Sequence, residues 1–440
     1  MSEEGLRAAT EKMREAGVAA AAIDTFAHYY RELEAGATGM LPESDIEPLG
    51  DLPTAADLPA PPDGGRAALG KAVTIKLNGG LGTSMGMTRA KSLLEAKDGL
   101  TFLDIIVRQA EHLDVPLVLM NSFATGDDTM RYLAEHHPDA DARHFLQNKE
   151  PKLLVDDLTP AAWPNDPELE WAPPGHGDLY VALQGSGMLQ TLLDRGCEAA
   201  FVSNSDNLGA VLEPTILHAF LDSGAPFLME AVPRTKADRK GGHLARRRDD
   251  GRLVLRETAQ TPDEDLEALQ DVGRHRYSNT NNLWVNLVSL DAVLRERSGV
   301  LGLPMIVNRK TVDPSDPDTP EVFQIETAMG AAISVFEGAQ AIEVSRQRFA
   351  PVKTTNDLLL LRSDFYRLTD EADVVPAPGR EPGSVFVDLD PDHYKLLRDF
   401  DARFPAGAPS LARATRFVVH GDVTFGPDVA IEGEAELESG

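Results

Sequence analysis

The sequence predicts an α/β protein built on a Rossmann-like, mixed but mainly parallel sheet, and three observations carry that expectation. Short apolar runs alternate with helical patterns from residue 72 onward. A glycine-rich segment, "KLNGGLGTSMGMTRAKSLLE" (Lys76 to Glu95), follows the first of those runs. The chain has 440 residues, enough for more than one core at ~100–200 residues per domain.

Residues 4 to about 35 are rich in Ala, Glu, Arg and Leu without an internal proline. Leu6, Met13, Val18, Ile23, Phe26 and Tyr30 fall roughly on one face, which predicts an N-terminal helical segment. The stretch "LPTAADLPAPPDGG" then sets Pro53, Pro59, Pro61 and Pro62 before a glycine pair, a composition suited to neither helix nor central strand. The runs "AVTIKL", "VPLVLM", "EAAFVSNSD", "APFLMEAV" and "NNLWVNLVSL" predict strands, with helical stretches such as "TFLDIIVRQAEHL" between them. Strands joined through helices need crossover connections, so the sheet should be mainly parallel and covered on both faces. Near the end, Val419, Phe425, Ile431 and Leu437 recur every six positions, and Val423, Val429 and Ala435 repeat the step. That period is the signature of a parallel β-helix, expected here as a short left-handed one. The expected domains are a helical segment over 1–48, a Pro-rich linker over 49–70 and a catalytic α/β domain over 71–365. A connecting segment over 366–415 and the β-helix tail over 416–440 follow.

The net charge of −29 and pI near 4.7 argue against a nucleic-acid or anionic-membrane surface, which needs basic patches. A polyanionic ligand would need a local cationic site. Cys197 is the single cysteine, so no internal disulfide or cysteine cage for zinc forms, and a reducing, cytoplasmic location is expected. The start "MSEEGLRAAT" is acidic where a secretory signal would be basic and then apolar. No apolar run reaches the ~18 residues of a membrane span, so no membrane association is expected.

In the glycine segment, Gly79, Gly80 and Gly82 leave the backbone without Cβ atoms, so its N–H groups can approach phosphate oxygens. "GLGTSMG" is one residue longer than the dinucleotide fingerprint, and no acidic residue ends a second strand at ~20 positions on, since Asp104 lies in a helical pattern. A P-loop requires Gly before its Lys-Ser/Thr pair, whereas Ala90 precedes Lys91. A phosphate loop of another kind remains.

The segment resembles L-x-G-G-x-G-T-x-x-G-x-x-x-P-K, the signature of eukaryotic-type UTP:glucose-1-phosphate uridylyltransferases. The likeness runs on in order through "VPLVLMNSF", "PPGHGDLY", "FVSNSDNLGA", "KGGHL", "NTNNLW", "QIETAMGAAI", "RFAPVKTTNDLLLL" and "GDVTFG", over about residues 70 to 428. It implies a nucleotidyltransferase fold and Mg²⁺-dependent transfer of UMP from UTP to glucose 1-phosphate. In-line attack on the α-phosphorus, without a covalent intermediate, would give UDP-glucose and pyrophosphate. Such transfers need positioning and neutralised charge more than a nucleophilic side chain.

By this resemblance Leu77, Asn78, Gly79, Gly80 and Lys91 hold the nucleotide, with Lys91 as a point charge on the departing pyrophosphate. The family has a proline before this lysine, and Ala90 in its place loosens the backbone restriction there. Asp206, at the end of "FVSNSDNLG", matches the metal-binding aspartate. Lys353 matches the second lysine, which reaches the phosphates opposite Lys91. Gln147 matches a uracil contact, since an amide can both donate and accept, and Gly175 lies by the nucleotide. His176, Asn204, Asn279, Asn281 and Glu326 match sugar or sugar-phosphate contacts. "KGGHL" lines the sugar pocket or forms only a hairpin turn. The alternatives are the same chemistry on galactose or N-acetylhexosamine 1-phosphate, or a catalytically silent nucleotide-sugar binding protein. Family members carry a longer β-helix that mediates assembly, so this chain is expected to be a monomer or small homo-oligomer.

Overall fold

The computed structural model describes residues 2–235, 238–239 and 241–439; Lys240 of "KGGHL" lies outside them. The chain forms two compact units, each drawn from three stretches of sequence. The first comprises Met1–Val73, Phe145–Val202 and Pro214–Val344; the second comprises Thr74–His144, Ser203–Glu213 and Ser345–Gly440.

In chain order, helices α1 (Ser2–Glu15) and α2 (Ala20–Glu34) precede strand β1 (Ala72–Asn78). Helix α3 (Phe102–Leu113), strand β2 (Leu117–Asn121) and helix α4 (Gly126–His136) come next. Strands β3 (Ala199–Asn204), β4 (Phe227–Pro233) and β5 (Tyr277–Asn286) follow, then β6 (Met305–Thr311), β7 (Glu321–Thr327) and β8 (Gln340–Glu343). Helix α5 (Thr355–Arg362) leads to strands β9 (Phe386–Leu389), β10 (Ser410–His420) and β11 (Ala430–Glu438).

In the first unit the N-terminal helical segment is two helices, because Gly17 takes φ 73° and turns the chain between them. Met13 of α1 and Ile23, Phe26, Tyr29 and Tyr30 of α2 share a core with Leu153, Met305 and Ile325. The two phenols in that core donate to carbonyls, Tyr29 to Leu303 at 3.0 Å and Tyr30 to Leu158 at 3.0 Å. Buried hydroxyls require such partners. Strand β5 runs antiparallel to β3, from Ala199↔Asn286 to Val202↔Leu283, and antiparallel to β4. Strand β4 is in turn parallel to β8, from Leu228↔Gln340 to Ala231↔Glu343. The Pro-rich stretch lies against this sheet, where the Glu343 N–H donates to the Pro53 carbonyl at 2.8 Å. Strands β6 and β7 form an antiparallel pair, joined on the β7 side by Leu153–Leu154.

In the second unit β1 and β2 are parallel from Thr74↔Leu117 to Asn78↔Asn121, with α3 as the crossover between them. Helix α3 starts where it does because Thr101 and Asp104 form a capping box, and it stops at Asp114 in the left-handed region. The last three strands are parallel neighbours, β9 with β10 and β10 with β11. Val419, Phe425 and Ile431, three of the residues in the six-position repeat, are buried. The architecture is a mixed α/β fold. Among the described residues no helix is long and apolar enough to cross a membrane.

One buried carboxylate organises the core of the first unit. Glu230 on β4 is fully buried and accepts from Trp284 Nε1 at 3.0 Å and Asn282 Nδ2 at 2.9 Å, both on β5. Replacing it by leucine orphans two buried donors, each costing about 1–3 kcal/mol. Glu230→Leu is expected to lower the thermal midpoint by several degrees; an unchanged midpoint in calorimetry would contradict this.

Candidate active site

The glycine segment leaves β1 at Asn78 and returns to the same neighbourhood at Lys91, whose N–H donates to the Gly80 carbonyl at 3.0 Å. Gly82, at φ 65°, makes the sharp turn, and a Cβ there would also lie 2.9 Å from Met87 Sδ. Ser122, just past β2, donates from its hydroxyl to the Gly79 carbonyl at 3.0 Å and braces the loop from one side. Ala90 is buried, with φ −52°, inside the range a proline would impose.

Lys91 points into the turn after β3. Its ammonium donates to Asp206 Oδ2 at 3.0 Å and to the Val352 carbonyl. The Val352 N–H donates in return to the Asp206 carbonyl at 3.0 Å, so Lys91, Asp206 and the residue before Lys353 form one cluster. The turn is further fixed by Asn207, which donates to the Arg348 carbonyl at 3.0 Å and accepts from the Ala350 N–H at 3.1 Å. Lys353 has an exposed side chain, and its N–H donates to Asp357 Oδ2 at 2.9 Å at the start of α5. Asn204 closes β3 with a partly exposed side chain. The Leu77 carbonyl accepts from the Ser205 N–H at 3.0 Å, tying β1 to the same turn. The side chain of Asn78 is occupied differently: it is buried and donates to Asn121 Oδ1 at 2.8 Å and Thr129 Oγ1 at 3.0 Å.

Asp206 Oδ1 is buried and has no hydrogen-bond partner among the described residues. An orphaned carboxylate oxygen beside a lysine-bound one suits a hard cation. Among the described residues no group of three or more His, Cys, Asp or Glu side chains could hold a metal ion by itself. A cation at Asp206 would therefore need oxygens from substrate and water.

The remaining sequence-predicted residues gather in the first unit. Gly175 takes φ 77°, and a Cβ on it would stand 2.5 Å from the Thr327 carbonyl oxygen and 3.1 Å from Glu326 Cβ. Glycine is required there both by the angle and by the approach of β7. The Thr327 N–H donates to the Pro174 carbonyl at 3.0 Å, holding that turn on the end of β7. Gln147 donates from Nε2 to the Gly175 carbonyl at 2.9 Å, leaving its amide oxygen free of that bond.

His176 accepts at Nδ1 from the Met329 N–H at 3.0 Å. That bond assigns the ring proton to Nε2. The ring has a partly exposed edge but lies deep among protein atoms, and this burial pulls its pKa down to about 4. His176 is therefore a neutral donor through Nε2. Asn281, in the left-handed region at φ 59°, donates from its N–H to Asn279 Oδ1 at 2.8 Å and accepts from Asn279 Nδ2 at 2.8 Å. Asn279 Nδ2 lies 2.9 Å from the place of a Cβ on Gly330, next to Met329. Gly175, His176, Asn279, Asn281 and Glu326 thus share one neighbourhood.

Sequence reasoning missed Lys76, which is fully buried beneath the loop and donates to Ser203 Oγ at 2.8 Å and the Ala210 carbonyl at 2.6 Å. It also missed Asn148 and Asp178, although "FLQNKEP" and "PPGHGDLY" contain both. A charged residue inside an otherwise apolar strand was the available signal for Lys76.

The family model described as UTP–glucose-1-phosphate uridylyltransferase matches residues 23–432. The potato (Solanum tuberosum) protein of that name is 42% identical over 378 residues, which cover 84% of this chain and 77% of that one. The Saccharomyces cerevisiae protein is 40% identical over 373 residues, covering 83% and 73%. Among solved structures, a UDP-glucose pyrophosphorylase from Leishmania major described in open and closed forms superposes with a TM-score of 0.91 at 44% identity, covering 99% of this chain and 95% of that one. A mutant of the Leishmania major enzyme in complex with UDP-glucose gives a TM-score of 0.91 at 43% identity, with 99% and 94% covered.

The hydrogen bond at Nδ1 and the lowered pKa of His176 give a direct expectation. Its ¹⁵N imidazole shifts should report the neutral Nε2–H form from pH 8 down to about pH 5, because the charged form is favoured only below about pH 4. A titration centred near 6.5 would contradict the assignment.

Proposed function

As a member of the UTP–glucose-1-phosphate uridylyltransferase family, this chain makes UDP-glucose from UTP and glucose 1-phosphate, and we propose that it does so by in-line attack of the sugar phosphate on the α-phosphorus. The observation that carries the proposal is the Lys91–Asp206 pair with its orphaned carboxylate oxygen. A lysine at the end of the glycine loop meets a carboxylate on the turn after β3, and with its ammonium bonded to Asp206 and to the Val352 carbonyl the lysine is placed as a charge and not as a free amine nucleophile.

The backbone of Leu77, Asn78, Gly79 and Gly80 and the ammonium of Lys91 receive the nucleotide phosphates. The structural role of the Asn78 side chain leaves its backbone for that contact. Lys353 adds a second positive charge, and Asn204 and Asp206 line the turn beside it. Mg²⁺ fits at Asp206, and when bound it neutralises charge on phosphate oxygens. Lys91 holds Asp206 Oδ2 in place and leaves Oδ1 for the cation. Gln147 reads the uracil edge and Gly175 lets the nucleotide approach the backbone. His176 donates from Nε2 to a sugar-phosphate oxygen without taking up a proton, and Asn279, Asn281 and Glu326 meet the sugar hydroxyls.

The three parallel strands at the end of the chain support a short left-handed β-helix. Val419 pairs with Leu437, three six-residue steps along. The domain limits 71–365 and 416–440 for the catalytic part and this tail follow the motif order. A monomer or small homo-oligomer and a cytoplasmic location remain the reading, the latter supported by the single cysteine and the acidic composition.

Pyrophosphate release from UTP and Mg²⁺ should be much faster with glucose 1-phosphate than with galactose 1-phosphate or N-acetylglucosamine 1-phosphate; equal rates would overturn the sugar assignment. Lys91→Ala should lower kcat by about a hundredfold or more, measured at a temperature where the variant is folded because the unpartnered Asp206 lowers its thermal stability, and Asp206→Asn should raise the Mg²⁺ concentration needed for half-maximal rate. A Lys91→Ala enzyme with normal kcat would remove the lysine from the chemistry.

A further inference from the structure

A buried carboxylate lies behind the Gln147 and Gly175 contacts and belongs to neither set of substrate residues. Asp178, two residues past His176, is buried and accepts from the Asn148 N–H at 2.6 Å and from Asn148 Nδ2 at 2.9 Å. Asn148 is the neighbour of Gln147, and Gln147 Nε2 donates to the Gly175 carbonyl at 2.9 Å. Two segments about thirty residues apart are thus closed into a ring by three hydrogen bonds, and the only charged member is Asp178.

We infer that Asp178 is the positioning residue that sets the Gln147 amide for the base, by clamping Asn148 to the turn that carries Gly175 and His176. The inference rests on the assignment of Gln147 to uracil. The geometry favours positioning over simple packing because both oxygens of the carboxylate are engaged, one by each Asn148 donor. An amide in its place could accept from only one of those donors, and a protonated acid would hold them more weakly.

The clamp has a built-in dependence on protonation. Burial pushes Asp178 up to about 6, while the two bonds from Asn148 oppose the rise. Lys149 and Glu150 from the adjoining segment, Tyr29 from α2, Tyr180 from the following helix and Glu326 from β7 line the same cavity, and His176 precedes it on its own turn. Glu150 is driven well above the usual carboxylate range by burial and by the charges of Asp178 and Glu326. Lys149 is turned to the Trp171 ring, 4.5 Å from its centroid. His176 is neutral above about pH 4. Asp178 changes charge near pH 6 and on protonation loses acceptor capacity toward Asn148; Glu150 is raised in the same cavity, and the pH dependence of Asp178→Asn separates the two groups.

The test compares wild type with Asp178→Asn, Asn148→Ala, the double variant and Gln147→Ala. Steady-state kinetics would be measured at pH 7.5, and UDP-glucose affinity by calorimetry at pH 7.5 and 5.5; the diphosphate does not titrate over that interval. Asp178→Asn is expected to raise the KM for UTP about tenfold, the loss of a charge-assisted hydrogen bond, while kcat falls less than about threefold. Asn148→Ala should give the same split, and the double variant should be little worse than either single one. Wild-type affinity for UDP-glucose should weaken about fourfold from pH 7.5 to 5.5, following the ionised fraction of a group with pKa near 6, and Asp178→Asn should abolish that change. If Gln147→Ala binds UTP normally, the base assignment fails and the inference with it. If Gln147→Ala is defective while Asp178→Asn and Asn148→Ala bind normally, or if Asp178→Asn keeps the wild-type pH dependence, the inference alone is overturned. Should Asp178→Asn not fold, the kinetic split and the pH dependence of Asn148→Ala decide the matter.

Discussion

The bond between Lys91 and Asp206 is the interaction on which the polar cluster of the second unit depends. It draws the end of the glycine loop onto the turn that follows β3, and the Val352 carbonyl, receiving the same ammonium, brings in the segment before Lys353. Without that cation, Asp206 would be a partly buried carboxylate with both oxygens unpartnered, a costly state in a low-dielectric setting. With it, one oxygen is fixed and the other is left for a ligand of opposite charge.

The first unit arranges a different set of polar groups, each tied to the fold through part of its hydrogen-bonding capacity. The Met329 N–H fixes the His176 tautomer from behind, the Gly175 carbonyl takes one donor of Gln147, and Asn279 and Asn281 bond to each other. Each side chain has one face committed to the fold and one face open. Their placement comes from the elements behind, chiefly β7 and the segment carrying Met329. Burial does the electrostatic tuning, lowering His176 and raising Asp178 and Glu150.

Much of the fold was legible because its signals are local. Apolar runs of strand length marked β1, β2, β3, β4 and β5, and the pattern around Thr101 and Asp104 is the sort that starts a helix. The glycine loop and the Asp206 turn were legible for the same reason, since small residues after an apolar run leave few conformations open. N-terminal helices were expected, but their division at Gly17 was not placed, because one glycine in an alanine-rich run is a weak stop signal. The side chain of Asn78 ties β1 to Asn121 and Thr129, partners that no spacing in the sequence announces.

By itself the sequence determined the α/β class, the family and the kinds of groups available: a glycine loop, two lysines, a strand-end aspartate and a set of planar amides. The class follows from periodicity and short-range backbone sterics, which act within a few residues, and the family from the resemblance carried by the ordered motifs. Tertiary structure alone decided which of these groups touch. Lys91 reaches Asp206 across 115 positions, Met329 reaches His176 across 153, and Asp178 reaches Asn148 across 30. A hydrogen bond between distant residues has no period and no preferred spacing; it exists because buried donors and acceptors must be paired once the chain has closed around them.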